Sequence, residues 1–249
     1  MKTTFQEKGI TYHTDLSKPL DISIPLRNGE ENVSAWYVEP VRIEPVRTEQ
    51  FTGSVVEGGS VNFRNISFNP HGNGTHTECV GHIDKNVYSI NKSLKQFFFL
   101  SELITIKPEE KSDGDLVITK ELVQAQRNHL NAKALIIRTT PNPESKKNKQ
   151  YSNTNPPFIT AAAMKEIIAS GIKHFLIDLP SVDKEVDGGE LAAHHAFWEH
   201  PKNTNLERTI TELIFVPDSI PDGVYLLNLQ IASFENDASP SKPVLYAIS

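Results

Sequence analysis

The chain has 249 residues, a formal charge of −6 and 38% apolar residues. That balance excludes a nucleic-acid partner held by counterion release, which needs a basic face, and no stretch approaches the roughly 20 apolar residues that span a bilayer. A single cysteine, Cys79, excludes an intrachain disulfide and a thiolate-rich zinc site.

Met1 to Lys8 lacks the apolar centre of a signal peptide, which favours a cytoplasmic protein. Ser34 to Val41 and Arg42 to Phe51 are rich in Val, Ile, Trp and Tyr and read as strands. Gly58-Gly59 marks a turn, and Val61 to Phe68 alternates apolar with polar, the period of a half-buried strand. It leads through Asn69-Pro70 into a segment dense in histidine, His71 to His82. Phe97 to Leu100 reads as the start of a buried strand, and Leu103–Ile106 and Ala134–Arg138 as short buried strands. Between the last two, Thr119 can cap a helix running to His129. A polar, Pro-rich loop from Thr139 to Pro157 follows, with Lys146, Lys147 and Lys149 expected to be solvated. Thr160 can cap a helix to Ser170 that Gly171 stops, and His174 to Asp178 forms the next strand. This strand-helix-strand rhythm favours parallel pairing with crossover helices. Arg208–Val216, Val224–Ala232 and Val244–Ile248 return to strand. Composition and pattern alone give a mixed α and β chain forming one domain over residues 1–249.

The stretch His71-Gly-Asn-Gly-Thr-His-Thr-Glu-Cys-Val-Gly-His82 packs three imidazoles and one carboxylate into twelve residues. Neutral imidazole is the commonest protein metal ligand, and a carboxylate two residues after a histidine reaches the same ion when the backbone is extended. The isolated His13, His129, His174 and His200 are expected at the surface or satisfied by ordinary hydrogen bonds. Cys79 has His76 and His82 nearby as candidate bases for a thiolate. Neighbours on an extended strand point to opposite faces, so a Glu78 aimed at a metal turns Cys79 into the structure.

Gly74-Thr75-His76, Glu78 and His82 resemble the signature of the cyclase family of metal-dependent hydrolases, kynurenine formamidase and isatin hydrolase among them. The family pattern is His-x-Gly-Thr-His-x-Asp-x-x-x-His. Two departures stand out: position 72 is Gly72, leaving His71 five residues before His76 rather than four, and Glu78 replaces the Asp. Further matches follow in the family's order. They are Asp21-Ile22-Ser23-Ile24-Pro25, Asp178-Leu179-Pro180-Ser181-Val182-Asp183, His194-His195, Thr211-Glu212-Leu213 and Ala238-Ser239-Pro240.

The resemblance implies an α/β, swivelling β/β/α fold of mixed strands with crossover helices in a single domain. It implies metal ligands at His71, His76, Glu78, His194 and Glu212, with His195 the competitor of His194, and a catalytic His82. Zinc is the implied metal and manganese the alternative, as one ion or two with Glu78 as bridge. The implied reaction is arylformamidase-like: hydrolysis of an amide, lactam or lactone bond in a small molecule by metal-activated water, with a histidine acid/base. A homo-oligomer, dimer or tetramer, is implied as well. Trp36 and Trp198 are candidates to line a substrate pocket, with core packing as their other reading, and Asp178, Ser181 and Asp183 are expected to orient ligands by hydrogen bonds. The competing function is a non-catalytic small-molecule-binding protein on the same fold.

Overall fold

The run Ala134-Leu135-Ile136-Ile137 has no polar face because both faces of its strand are covered. Leu135 and Ile137 pack with Met164, Ile167, Phe197 and Trp198 of the helices. Ala134 and Ile136 pack with Leu103, Leu176, Leu227 and Leu245 from neighbouring strands. Two apolar clusters thus share one strand by its period of two.

The computed structural model describes residues 1–129 and 131–249. Its main sheet closes into a barrel of seven strands. In spatial order they are Gly223–Ile231, Phe98–Ile106, Ala134–Thr139, His174–Ile177, Thr209–Glu212, His76–Glu78 and Ala238–Ala247, the last pairing back onto Gly223–Ile231. Phe98–Ile106 through Thr209–Glu212 run parallel, and the other junctions are antiparallel. Between successive parallel strands the chain crosses through the helices Lys120–Gln126, Ala161–Ala169 and Ala192–Trp198. Mixed strands with crossover helices in one body are what the sequence led us to expect.

The predicted caps are present. Thr119 Oγ1 accepts from the Leu122 amide at 3.4 Å and Thr160 Oγ1 from the Ala163 amide at 3.1 Å. The first helix ends at Gln126 rather than His129 because the Asn128 and His129 amides donate to Glu102 Oε1, at 2.7 and 3.0 Å. The strand expected from Arg208 to Val216 stops at Glu212, where Leu213 turns left-handed at φ 53°. Lys146 is not solvated: its ammonium is buried 2.7 Å from Asp178 Oδ2 and 2.8 Å from the Thr139 carbonyl.

Two N-terminal expectations are corrected. Ser34 to Val41 is a loop, in which Trp36 and Tyr37 take φ of 61° and 55°, values outside the pleated region. The half-buried strand of Val61 to Phe68 shrinks to Arg64–Ser67, exposed along its length. It pairs with Arg42–Pro45 in a two-stranded ribbon that leaves its own side chains exposed. Phe63 and Ile66 are therefore 58% and 59% exposed.

Candidate metal centre

The site is assembled where His76–Glu78 crosses the barrel between two antiparallel neighbours. Register pairs His76 with Glu212 on one side and Glu78 with Ala238 on the other. Cross-strand partners are side-chain neighbours, so Glu212 arrives beside His76, and the residue preceding Ala238, Asp237, arrives beside the end of the strand. His76 and Glu78 share a face. The opposite face carries Thr77, whose hydroxyl meets that of Thr211 at 2.8 Å, and Cys79, packed among Ile22, Leu103 and Leu245. Burial pushes the Cys79 thiol up, as suits a structural residue rather than a nucleophile.

Three imidazoles converge. His76 Nδ1 donates to the Gly74 carbonyl at 2.9 Å, and its Nε2 lies 3.5 Å from Glu212 Oε2. His194 Nδ1 faces Asp183 Oδ2 at 2.5 Å and its Nε2 faces Glu78 Oε1 at 3.2 Å. His71 Nε2 faces Asp237 Oδ2 at 2.8 Å and its Nδ1 lies 3.1 Å from Glu78 Oε2. Each ring has its outer nitrogen on a fixed acceptor and its inner nitrogen toward Glu78 or Glu212. His82 is stacked on His71 with centroids 4.3 Å apart, and its Nδ1 lies 3.5 Å from Asp237 Oδ2 and 3.9 Å from Glu78 Oε2.

Burial opposes charge on these groups, and their neighbours override it. Asp237 and Glu78 raise His71 to about 10, and Asp183 and Glu78 raise His194 to about 10. Burial works to raise Glu78, but His82, His194 and His71 hold it well below the usual carboxylate range. Asp237 is likewise depressed by His71 and His82 against its own burial.

The residues fit a divalent cation. Among the described residues His76 Nε2 is buried with no hydrogen-bond partner, a state buried polar atoms seldom keep, and the buried Glu78 Oε2 faces the rings of His71 and His82, at 3.1 and 3.9 Å. Ligand atoms of His71, His76 and Glu78 lie within 4.8 Å of one another, as do those of Glu78, His82 and His194 and those of His71, His82 and Asp237. Imidazole with carboxylate oxygen suits zinc, and a higher share of oxygen suits manganese.

The position that the family spacing gives to the first histidine is closed to a side chain here. A Cβ on Gly72 would meet Val38 at 2.6 Å and the Ala35 carbonyl oxygen at 2.8 Å, because the Trp36 loop lies against it. No side chain fits at residue 72, and His71 reaches the cluster from the preceding position.

Of the other candidates, Trp36 lines a cavity of about 400 Å³ together with Val38, His71, His82, Leu191, His194 and Glu212. Trp198 does not reach it. Its ring is fully buried behind His194, centroids 5.6 Å apart, and its Nε1 donates to the Arg208 carbonyl at 2.9 Å. That makes it a packing wall for a ligand candidate rather than a substrate contact. His195 stacks on His200 instead, at 5.3 Å, so His194 is the histidine of that pair that faces the cluster. Asp183 takes the Ala193 and His194 amides at 2.7 and 3.1 Å besides the His194 ring. Asp178 holds Lys146, and the Ser181 hydroxyl accepts from the Asp183 amide at 3.1 Å. Sequence reasoning missed Asp237, 166 residues from the histidine it holds. Its position immediately before Ala238-Ser239-Pro240 was the only signal.

A family model described as "Putative cyclase" matches residues 14–184. A protein of Bacillus cytotoxicus named kynurenine formamidase is 28% identical over 232 residues, 92% of this chain and 97% of that one. An isatin hydrolase bound to the product analogue thioisatinate superposes with a TM-score of 0.66 at 13% identity, covering 93% of each chain. A predicted metal-dependent hydrolase from Bacillus stearothermophilus gives 0.62 at 15% identity, over 92% of this chain and 98% of that one. At these identities the solved structures establish the fold.

Proposed function

The chain belongs to the cyclase family, and from that premise we propose that it is a metal-dependent hydrolase opening the carbon–heteroatom bond of a small amide, lactam or lactone. The observation that carries this reading is the buried His76 Nε2, without a hydrogen-bond partner among the described residues, beside Glu78 and among converging imidazoles that edge a cavity of about 400 Å³. His71, His76, Glu78, His194 and Glu212 would hold zinc, with manganese the alternative, and the two oxygens of Glu78 allow one ion or two. When bound, such an ion polarises a carbonyl and lowers the pKa of coordinated water from 15.7 to about 7.

The remaining work falls to the chain. His82, exposed at the cavity edge, accepts the proton of the attacking water and returns it to the leaving nitrogen or oxygen, a contribution typically of about 10²–10⁴-fold. Trp36, Val38 and Leu191 supply an apolar wall for a flat substrate and keep competing water from the reacting carbonyl. The name of the curated relative, kynurenine formamidase, and the thioisatinate held by the solved isatin hydrolase support an aryl formamide or fused aryl lactam as substrate. A homo-oligomer, dimer or tetramer, belongs to the same reading, supported by the exposed apolar ribbon.

Elemental analysis of tag-free protein tests the site. Near-stoichiometric zinc or manganese is expected in the wild type and loss of it in His76→Ala and Glu78→Ala. Turnover of an aryl formamide and lactam panel should stop with chelator and return with the metal. Wild-type protein that carries no metal and takes up none on titration would instead make the chain a non-catalytic small-molecule-binding protein.

A further inference from the structure

We propose that Asp237 is a positioning residue of this site, one carboxylate that fixes both His71 as a metal ligand and His82 above the cavity. The inference rests on the metal-centre reading and adds a group from the far end of the chain. Four observations carry it.

Asp237 Oδ2 is 2.8 Å from His71 Nε2 and 3.5 Å from His82 Nδ1, so a single oxygen spans the two rings. Those rings are stacked, 4.3 Å apart and inclined by 29°, so displacing one disturbs the other. His71 then repeats the arrangement of His76 and His194, each with its outer nitrogen on an acceptor, the Gly74 carbonyl and Asp183 respectively. An acceptor of this kind sets the tautomer and orientation of a ligand imidazole. Finally, the carboxylate is delivered by backbone geometry independent of its side chain. Ala238 is in register with Glu78, and the Asp237 carbonyl accepts from the Cys79 amide at 3.0 Å.

The need for such a restraint follows from Gly72. With no space for a side chain there, the first imidazole comes from His71, which is not enclosed as His76 is: its side chain is 21% exposed, against 0% for His76. Without the carboxylate on its outer edge, His71 is free to rotate out of the cluster.

The test is zinc affinity by chelator competition in Asp237→Ala, Asp237→Asn and His76→Ala, with thermal unfolding of each metal-free protein. Asp237→Ala should bind zinc about 10–100-fold more weakly, the usual effect of removing a ligand's outer partner. Asp237→Asn, whose amide oxygen still accepts from Nε2–H, should stay within a few-fold of wild type. Wild-type affinity in Asp237→Ala, with binding abolished in His76→Ala, would overturn the role of Asp237 alone. Zinc binding undiminished in His76→Ala would overturn the metal centre itself. Loss of one of two zinc equivalents in Asp237→Ala, the other unchanged, would make Asp237 a direct ligand and also defeat the proposal. Should Asp237→Ala fail to fold, imidazole ¹⁵N spectra of zinc-loaded wild type decide. His71 must be protonated at Nε2, and a proton on Nδ1 overturns the inference.

Discussion

His174 is a buried imidazole with no part in the cavity, its Nδ1 2.9 Å from Thr209 Oγ1. Burial, helped by Lys173, pushes it down to about 3 against an ordinary value of 6.5. Between those two values the unfolded chain binds one proton more than the folded one, so stability is present above about 6.5 and lost as pH falls toward 3. The slope from this one group approaches about 1.4 kcal/mol per pH unit. Denaturant unfolding from pH 7 to 4 should show an acid limb that is shallower in His174→Leu. An unchanged limb would mean that His174 accepts a proton while folded. At this scale the sequence was most legible where chemistry is concentrated. His71, His76, Glu78, His82, His194 and Glu212 were all singled out, and the folded chain gathers them. Asp237 was missed because its place depends on a contact across a long separation, with His71, and the two readings of Trp198 were separated only by its contacts with Arg208 and His194.

The Ala192–Trp198 helix begins at Leu191, a residue in the left-handed region at φ 45° with no capping side chain. Asp183 substitutes for the cap by accepting from the Ala193 and His194 amides and, with the same carboxylate, from the His194 ring. Helix start and ligand orientation are therefore one interaction. Asp183→Ala should lower stability by about 1 kcal/mol, the ordinary value of a cap, and weaken zinc binding about 10–100-fold, read by thermal unfolding and chelator competition. Loss of stability without loss of zinc affinity would separate the two roles. Elements whose residues decide their own conformation, such as the helices after Thr119 and Thr160, were predicted with their caps. Elements decided by partners were not. Ser34 to Val41 has strand composition, yet the Ala35 amide donates to the Gly72 carbonyl at 3.0 Å and the segment becomes the wall of the site. The final strand reaches back to Ala238, well before the Val244 expected, because it pairs with both His76–Glu78 and Gly223–Ile231.

Closure of the seven-stranded barrel leaves its strands paired on both sides, and the ribbon outside it exposes apolar side chains on which the proposed association would draw. There Phe63 and Ile66 are exposed alongside Val61, a concentration of apolar surface typical of protein contacts. Light scattering after size exclusion should report a dimer or tetramer for the wild type and smaller species for a Phe63→Ser, Ile66→Ser variant that keeps its far-ultraviolet spectrum. A monomeric wild type would remove homo-oligomerisation from the proposed function. Gly72 links the scales. The tight contact between the Trp36 loop and the histidine segment means that neither can diverge alone. A histidine arriving at residue 72 is excluded until Val38 and Ala35 withdraw, and until then His71 has no substitute. A histidine substituted at residue 72 would therefore be tolerated only together with a smaller residue at 38 and a shifted Ala35 backbone.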